Sequence, residues 1–268
     1  MALTVATWNI NSVRLRQEMV LRFLEQHRPD VLCLQETKVV DDGFPGKVFA
    51  ERGWKYQAIH GMKSYNGVAI LSRQPLSDIQ TRSWCEKGDC RHVFATLPGG
   101  IELHNFYIPA GGDVPDPAKN VKFAHKLAFL DEKAAWLKSS RKPTTPMILV
   151  GDLNIAPLEH DVWSHKQLLD VVSHTPIEVE KLGAVQKSLK WVDAVRHFVP
   201  ADQKLYSWWS YRAADWNAAD KGRRLDHVWV TPPLARGLKQ ATILREARGW
   251  TQPSDHVPVI VTLDAGAA

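Results

Sequence analysis

The sequence predicts an α/β fold in which two mixed β-sheets pack face to face and are covered by helices. Apolar runs that are typical of buried strands alternate with segments of helical periodicity along most of the chain. The shorter strands fall into two groups, which indicates two sheets. The chain contains no convincing linker and no low-complexity tract, so we expect residues 1–268 to form a single domain.

The composition is that of a globular protein with a basic charge balance. Hydrophobic residues make up 44% of the chain, which is enough to form a proper core. The formal net charge is +5 and the sequence pI is about 9.1. A positive surplus suits a polyanionic partner, although many basic proteins bind no anion.

The cysteines and the N-terminus indicate the compartment. Cys33, Cys85 and Cys90 are odd in number and form no C-x-x-C pair, which indicates a reducing environment and inert thiols. The N-terminus lacks a charged region followed by a long apolar segment, and no apolar run approaches the length of a membrane span. We therefore expect a cytoplasmic protein that does not enter a membrane.

The first predicted unit is a strand, a helix and a second strand. The apolar run 3–8 ends at Asn9, a helix is predicted from Ser12 to about His27, and the buried run 31–36 ends in Glu36. Because such a unit places its two strands in parallel, Asn9 and Glu36 are expected to lie side by side. On its own, Glu36 could simply be the first solvated residue of its strand.

Three strands and a long helix are predicted next. The strands are 67–72, 91–97 and 101–107, and Tyr107 can either present its phenol at the sheet edge or pack. Asp116-Pro117 is predicted to open the helix, with Asp at the N-cap and Pro at the first helical position. The apolar stripe of this helix is interpreted only as a core face.

The segment Met147 to Pro157, MILVGDLNIAP, contains the clearest candidate site. An apolar strand ends at Gly151, and Asp152 and Asn154 follow. Residues i and i+2 of a strand point to one side, and open α/β sheets place their chemistry at the carboxyl ends of strands. The competing interpretation is an Asx-turn in which the carboxylate caps its own backbone.

The region 158–199 has a weaker pattern, with a helix predicted around 190–197. Glu159-His160-Asp161 lacks the spacing of a zinc motif and is interpreted as a loop. The segment 206–212 is rich in aromatic residues and precedes two arginines. Aromatics interleaved with arginines suit stacking on bases and binding of phosphates, but each Trp can equally be buried between layers.

Two further strands carry polar residues at their beginnings. Asp226 opens the strand 225–230, and the pair Asp255-His256 comes just before the last strand, 257–263.

Taken in order and spacing, these motifs resemble the exonuclease III family of apurinic/apyrimidinic endonucleases, part of the endonuclease/exonuclease/phosphatase superfamily. The similarity extends from Val5 to about Leu263. The matching motifs are T-W-N-I-N, L-Q-E-T-K, N-F-Y-I-P-A-G-G, G-D-L-N-I-A-P, W-S-Y-R, R-R-L-D-H and S-D-H-x-P.

The resemblance implies a four-layered α/β sandwich whose two sheets present their loops to one pocket. It also implies a divalent-metal-dependent DNA-repair phosphodiesterase. Such an enzyme incises duplex DNA 5′ to abasic sites, removes nucleotides or blocking groups from 3′ ends, and leaves a 3′-hydroxyl. Its partner would be double-stranded DNA with abasic sites, nicks or recessed 3′ ends.

The resemblance places a metal ion at one side of the pocket. Glu36 would hold it, helped by Asn9 or Asn11, and Asp255 would lie nearby. Carboxylate and amide oxygens without a neighbouring cysteine suit Mg²⁺, with Mn²⁺ as a substitute, and do not suit zinc.

The resemblance also implies the roles of the catalytic groups. Asp152 would orient and deprotonate the attacking water, and Asn154 and Tyr107 would contact the scissile phosphate. Asp226 and His256 would form a hydrogen-bonded pair beside it. Such pairing should raise the pKa of His256 and keep the imidazole cationic, which suits a group facing phosphoryl oxygens.

For DNA binding, the resemblance places Trp208 against the abasic sugar, and the adjacent Trp209 is an alternative for this role. Arg91 corresponds to an arginine that meets the DNA backbone. We expect Arg224 to belong to the same binding face. The segment 164–183 aligns poorly with the family pattern, so substrate preference is the property that the resemblance leaves open.

Two other functions remain open at this point. A small-molecule or lipid phosphodiesterase of the same superfamily would keep the same catalytic motifs, but a lipid enzyme should show an apolar rim. A catalytically silent DNA-binding module gains nothing from carboxylates that face a phosphate. The basic balance and the aromatic, arginine-rich stretch favour DNA, and we expect a monomer.

Overall fold

The computed structural model describes residues 2–266, and within that range two six-stranded sheets and a short two-stranded ribbon form the framework. The strands are β1 (Ala2–Asn9), β2 (Val31–Gln35), β3 (Tyr56–His60), β4 (Val68–Ser72), β5 (Ser77–Thr81), β6 (His92–Leu97), β7 (Ile101–Tyr107), β8 (Met147–Asp152), β9 (Val192–Asp193), β10 (Trp208–Trp209), β11 (Gly222–Arg223), β12 (Asp226–Val230), β13 (Leu238–Ile243) and β14 (Val259–Asp264). The helices are α1 (Gln17–His27), α2 (Gly46–Glu51), α3 (Val121–Ser140), α4 (His165–Leu168), α5 (Pro176–Ser188), α6 (Trp216–Ala219) and α7 (Pro232–Ala235).

Both large sheets are mixed. The first has the strand order β13-β14-β1-β2-β4-β3, and the second has the order β5-β6-β7-β8-β12-β9. In each sheet one neighbouring pair is parallel, β1 with β2 and β7 with β8, and the other pairs are antiparallel. A parallel pair brings two strand ends to the same edge of its sheet.

The alternation of side chains along the strands creates four layers. In β2, Val31 and Cys33 lie in the core between the sheets, whereas Leu32 and Leu34 pack in the cluster that contains the buried face of α1. In β8, Ile148 and Val150 lie between the sheets, and Leu149 packs with residues of α3 and α5. The predicted four-layered α/β sandwich is confirmed. In the described part of the chain, no helix is long and apolar enough to cross a membrane.

A buried polar cluster joins the two sheets close to one edge. Gln35 of the first sheet donates through Nε2 to Thr7 Oγ1 at 2.9 Å and to Asn105 Oδ1 of the second sheet at 2.7 Å. Asn105 donates in turn to the main-chain oxygens of Leu34 and Ala69. Because buried polar groups are costly unless paired, this cluster fixes how the two sheets sit relative to each other at this edge.

Helix α1 begins at Gln17, five residues later than predicted. Asn11 and Ser12 have positive φ angles of 47° and 89°. The Ser12 N–H donates to the carbonyl of Glu36 at 2.7 Å, and the Val13 N–H donates to that of Thr37. Because the N–H groups of residues 12 and 13 bond to the segment after β2, the backbone becomes helical only from Gln17.

The long helix α3 begins at Val121, and the predicted start at Asp116-Pro117 is wrong. Asp116 instead stabilises a turn by accepting from the Ala118 N–H. Asn120 is the N-cap, and its side chain accepts from the Lys122 N–H at 3.0 Å.

The predicted helix around 190–197 is also wrong, because Val192–Asp193 pairs with β12 as an edge strand. The helix of this region is α5, which the apolar pattern did not reveal. Its start carries a recognisable signal, since Thr175 and Glu178 form a capping box and Pro176 occupies the first turn.

Candidate active site

Strand ends from both sheets meet at one edge, and strand register decides which side chains become neighbours. Asp152 lies directly opposite Asp226 in the antiparallel pair β8/β12. It also lies beside Tyr107 in the parallel pair β7/β8. In the first sheet, Asn9 is paired with Gln35, the residue before Glu36. The predicted meeting of these polar strand ends is therefore observed.

Asn9 connects the two sheets at this edge. Its fully buried side chain donates through Nδ2 to Glu36 Oε1 at 2.9 Å and to Asp152 Oδ2 at 2.8 Å. Its Oδ1 accepts from the Asn11 N–H at 3.1 Å. The amide nitrogen of Asn9 thus holds two carboxylates together, and its role as a metal ligand stays a prediction.

The oxygens of Glu36 and Asn11 surround a positive charge. The ammonium of Lys38 lies 2.8 Å from Glu36 Oε2 and also donates to Asn11 Oδ1. Asn11 Nδ2 donates to Asp255 Oδ1 at 3.2 Å. Burial raises the pKa of Glu36, but Lys38 and Asn9 outweigh it and the net pKa is lowered. A set of oxygen donors that already accommodates an ammonium suits a hard divalent cation.

Asp152 is almost completely buried and is held in one orientation. Its Oδ1 accepts from the Asn154 N–H at 2.9 Å, and its Oδ2 accepts from Asn154 Nδ2 at 3.1 Å. The Asx-turn and the functional site were alternative interpretations of this segment, and the structure contains the turn within the site. Burial raises the pKa of Asp152 to about 7, with repulsion from Asp226 adding to the effect and His256 opposing it.

The strand that carries Asp152 requires glycine at position 151. Gly151 has φ +138°, and a Cβ there would lie 1.9 Å from the carbonyl oxygen of Phe106. This close approach of β7 and β8 keeps the ends of the two strands, and hence Tyr107 and Asp152, side by side.

His256 and Asp226 form a buried pair beside Asp152. His256 Nδ1 lies 2.8 Å from Asp226 Oδ2, which also accepts from Ser207 Oγ at 2.7 Å. The other ring nitrogen, Nε2, lies 3.7 Å from Asp152 Oδ2. Burial lowers the pKa of His256, but Asp226 and Asp152 outweigh it and raise the pKa to about 10. The imidazole is therefore cationic near neutral pH, as the sequence predicted.

Tyr107 lies next to the carboxylates of Glu36 and Asp152, and Arg91 lies beside Tyr107. Burial, together with the charges of Glu36 and Asp152, raises the pKa of Tyr107 well above its usual value, so the phenol stays protonated. The guanidinium of Arg91 lies 4.9 Å from the centre of the Tyr107 ring and forms an ion pair with Asp89. Only 12% of the Arg91 side chain is exposed, so its contact with a DNA backbone stays a prediction.

These groups open into a pocket of about 590 Å³ that is lined by two chemically different sets of residues. We call the first set the acidic wall; it consists of Glu36, Tyr107, Asp113, Asp152, Asn154, Asp255 and His256. We call the second set the basic wall; it consists of Trp163, Trp208, Arg212, Lys221 and Arg223, with residues 171–173 and Leu225 beside them.

The period of two in the ribbon β10/β11 decides which aromatic and basic residues reach the pocket. Trp208 is paired with Arg223, and both line the basic wall. Trp209 points the other way and is 2% exposed, so the alternative that Trp209 contacts the substrate is wrong. Trp208 Nε1 donates to Asp255 Oδ2 at 3.0 Å, which links the basic wall to the acidic wall.

Arg224 does not belong to a DNA-binding face, and the prediction that it does is wrong. Its side chain is 1% exposed, with Nε 2.8 Å from Asp161 Oδ1 and Nη1 2.6 Å from Asp193 Oδ2. The segment Glu159–Asp161, interpreted as a plain loop, is a short 3₁₀ helix whose fully buried Asp161 anchors this arginine.

Sequence reasoning missed Trp163 and Lys221, which contribute to the basic wall. It associated Arg223 and Arg224 with phosphate binding but assigned only Arg224 to the DNA-binding face. The strand period indicates that only one of these two adjacent arginines faces the pocket, but it does not indicate which one.

The comparisons with known proteins agree with this geometry. Residues 6–256 match the sequence model of the endonuclease/exonuclease/phosphatase family. Exodeoxyribonuclease III of Haemophilus influenzae is 27% identical over 267 residues, which cover 94% of this chain and 97% of that protein. The chain therefore belongs to the endonuclease/exonuclease/phosphatase family, and its resemblance to the exonuclease III group within it is confirmed.

Solved structures place the chain in the same group. The AP endonuclease from Archaeoglobus fulgidus superimposes with a TM-score of 0.90 and 30% identity, over 98% of this chain and 99% of that one. A 3′ phosphatase from Neisseria, solved bound to a product DNA hairpin, has a TM-score of 0.89 and 29% identity, over 98% and 99% of the two chains.

Proposed function

We propose that this chain is a divalent-metal-dependent DNA-repair phosphodiesterase. It incises duplex DNA 5′ to abasic sites and removes nucleotides or blocking groups from 3′ ends, leaving a 3′-hydroxyl. The observation that carries the proposal is the convergence of Asp152, the cationic His256 and Glu36 on one pocket whose other side is basic and aromatic. The similar proteins include an exodeoxyribonuclease III, an AP endonuclease and a 3′ phosphatase solved with product DNA, which supports DNA as the substrate.

Asp152 is the general base of the proposed reaction. Its carboxylate takes a proton from a water molecule, the water oxygen forms a bond to phosphorus, and the bond from phosphorus to the 3′-oxygen breaks. The departing 3′-oxygen takes a proton from solvent and becomes the 3′-hydroxyl. A base with a pKa near 7 is half deprotonated at neutral pH and still a useful proton acceptor. The hydrogen bonds from Asn9 and Asn154 hold the carboxylate in place during this step.

His256, Asn154 and Tyr107 stabilise the charge that develops on the phosphoryl oxygens. The imidazolium of His256 is fixed by Asp226, so no reorganisation is needed as the charge grows. Asn154 donates through Nδ2 to the carbonyl of Ile108 at 2.9 Å and to Asp152 Oδ2 at 3.1 Å, so a hydrogen bond from its amide to the phosphate requires one of these two bonds to be exchanged. The protonated phenol of Tyr107 is a further donor at the same wall.

Glu36, with Asn11 and Asp255, would hold the metal ion. Mg²⁺ bound there would supply positive charge that neutralises the phosphate and the departing 3′-oxygen, and Mn²⁺ is expected to substitute. Lys38 would have to move away from Glu36 when the ion binds, because both occupy the same set of oxygens.

A small-molecule or lipid phosphodiesterase is not favoured. The basic wall brings Arg212, Lys221 and Arg223 to the pocket beside two tryptophans, which suits a polyanion with stacking groups and not an acyl chain. That the chain acts as a monomer, as one domain over residues 1–268 and in the cytoplasm stays a prediction.

Cleavage of defined duplex oligonucleotides tests the proposal. One duplex carries a single internal abasic analogue and a second has a recessed 3′ end, each incubated with Mg²⁺, with Mn²⁺ or with EDTA. We expect cleavage 5′ to the abasic analogue and shortening of the recessed strand with either metal and none with EDTA. The products should be extended directly by a polymerase, because they end in a 3′-hydroxyl. If neither duplex is cut in the presence of either metal, the proposal fails.

A further inference from the structure

Arg223 is a cation on the pocket wall that has no carboxylate within ion-pair distance, although the charge of the more distant Glu178 favours its protonated form. It lies opposite Trp208 in the ribbon β10/β11, and its guanidinium carbon is 5.3 Å from the centre of the Trp208 ring. Nη1 donates to the carbonyl of Val172 at 2.9 Å and to Ser173 Oγ at 2.7 Å. Among residues 2–266, no carboxylate forms an ion pair with it.

Part of the hydrogen-bonding capacity of Arg223 is unused. Nε is buried and has no hydrogen-bond partner, and Nη2 makes no hydrogen bond to any described residue. The adjacent Arg224 shows the usual solution for a buried arginine, since Asp161 and Asp193 both pair with it. Partial burial of a cation with no carboxylate within ion-pair distance is unfavourable, so a guanidinium that lines a pocket fits an anion that arrives from outside.

The scissile phosphate is not that anion, because the acidic wall already provides for it. In the proposed function, the phosphorus under attack lies against Asp152, His256 and the metal-holding Glu36. Arg223 belongs to the basic wall, where Lys221 lies 4.7 Å from the centre of the Trp163 ring. A group that reaches Arg223 while the scissile phosphate lies at the acidic wall must extend beyond that phosphate.

We infer that Arg223 forms a subsite for a second anionic oxygen group, carried by the part of the substrate that departs with the scissile phosphate. The inference rests on the proposed function and adds a charge preference to it. Two sources share this chemistry. One is a carboxylate at the end of an oxidised sugar fragment, such as a glycolate esterified to a 3′-phosphate. The other is the next phosphate of the strand, on the 3′ side of an internal abasic residue.

Two pairs of matched duplexes distinguish these sources. The first pair has a recessed 3′ end that carries either a phosphoglycolate or its neutral isostere, a phosphoglycolamide. The second pair has an internal abasic analogue followed by either a phosphodiester or an uncharged methylphosphonate. The measured quantity is the ratio of kcat/KM within each pair, because a general loss of activity in a variant cancels from such a ratio.

The variants are Arg223→Gln, which removes the charge, and Arg223→Lys, which keeps it. Arg236→Gln is the matched control, because Arg236 is exposed at the end of α7, beyond the far end of β12 from Asp226. We expect the natural chain to prefer the charged member of at least one pair by roughly tenfold or more, the effect of one charge-assisted hydrogen bond. Arg223→Gln should abolish this preference, Arg223→Lys should keep part of it, and Arg236→Gln should leave it intact.

The duplex pair in which the natural chain shows the preference identifies the source of the anion. A preference in the first pair indicates the carboxylate, and a preference in the second pair indicates the next phosphate. Equal cleavage of both members of both pairs by the natural chain, or a preference that survives in Arg223→Gln, would overturn the inference and leave the proposed function standing. Cleavage of none of the duplexes would overturn the proposed function. Binding of the same pairs in EDTA, measured by fluorescence anisotropy, then tests Arg223 on its own, and equal affinities within each pair would refute the subsite.

Discussion

The acidic wall and the basic wall of the pocket are built in different ways. The acidic wall is placed by sheet register, which sets Asp152 opposite Asp226 and beside Tyr107. The basic wall comes from the segment between residues 158 and 225, whose strands are two residues long. Backbone hydrogen bonds of the sheets therefore determine where the chemistry occurs, and side-chain contacts of irregular segments determine what enters the pocket.

A buried ion pair connects the two walls. Lys126 Nζ lies 2.5 Å from Glu178 Oε1 and donates to the carbonyl oxygens of Asn154 at 2.8 Å and Ala110 at 3.2 Å. Glu178 accepts from the Ser173 N–H with both oxygens. The pair thus holds the loop after β8 and the segment that carries Arg223's partner in fixed relation.

The largest loss of kcat is expected from substitutions in the acidic wall. Asp152→Asn removes the base, and His256→Asn removes the cation, so each should lower kcat by roughly 10³-fold or more. DNA affinity should change only a few-fold, since the basic wall is untouched. Single-turnover cleavage and binding in EDTA measure the two quantities, with the surface variant Asp131→Asn as the control. Unfolding of both variants would show that these residues are structural.

Substitution of the buried pair of Lys126 and Glu178 should have the next largest effect, and it should lower both the free energy of unfolding and kcat. Lys126→Met leaves a buried carboxylate without its cation, which costs ~3–5 kcal/mol of the free energy of unfolding. Lys126→Met/Glu178→Gln removes both charges and keeps an acceptor for Ser173, so it should recover much of this loss. We expect kcat to stay low in both variants, because the carbonyl of Asn154 has lost its donor.

Denaturant titration and kcat measurement separate these two outcomes. Lys181→Met, which breaks the more exposed pair with Asp131, is the control and should cost less than about 1 kcal/mol. A double variant with normal kcat would mean that the pair contributes stability alone.

The buried imidazole of His227, the residue after Asp226, should make the free energy of unfolding depend on pH. His227 Nε2 donates to the carbonyl of Ile155 at 2.9 Å, and burial, with repulsion from Arg224, lowers the pKa of His227 to about 4. Between about pH 6.5 and 4 the unfolded chain binds this proton and the native chain does not, so the free energy of unfolding falls with falling pH, by roughly 3 kcal/mol. Denaturant titrations across this range should show a flatter dependence for His227→Gln, and an unchanged slope would refute this assignment.

The smallest effect is expected at the edge of the site. If Arg91 contacts one phosphate, Arg91→Gln should reduce the slope of log affinity against log salt by about 0.9. The alternative is that Arg91 only supports the ring of Tyr107. In that case the slope should match that of the natural chain, and kcat alone should fall.

The sequence predicted the acidic wall because its residues follow strong apolar strands. An apolar run that ends in Asp152 or Glu36 shows both the strand and its tip, and the period of two then gives the direction of the side chain. The pairing of His256 with Asp226 was predicted from the resemblance to the exonuclease III family and not from the strand pattern.

The basic wall could not be predicted in the same way. Whether Arg223 or Arg224 faces the pocket depends on the register of a two-residue ribbon, and nothing in the local pattern fixes that register. The buried pair of Lys126 and Glu178 was hidden because each residue lies on a helix where an exposed charge is the ordinary expectation. Such a contact depends on how the helices pack against each other, which local sequence patterns do not specify.

One side-by-side measurement tests most directly whether the acidic wall determines the cleavage rate and the basic wall determines the affinity for DNA. Asp152→Asn and Trp208→Ala are compared on the same abasic duplex, with affinity measured in EDTA and the cleavage rate measured with Mg²⁺ at saturating enzyme. We predict that Asp152→Asn binds almost normally and does not cut, whereas Trp208→Ala binds about tenfold more weakly, as expected for the loss of one stacking contact, and cuts at nearly the full rate once saturated. Equal losses of affinity and rate in both variants would contradict the division.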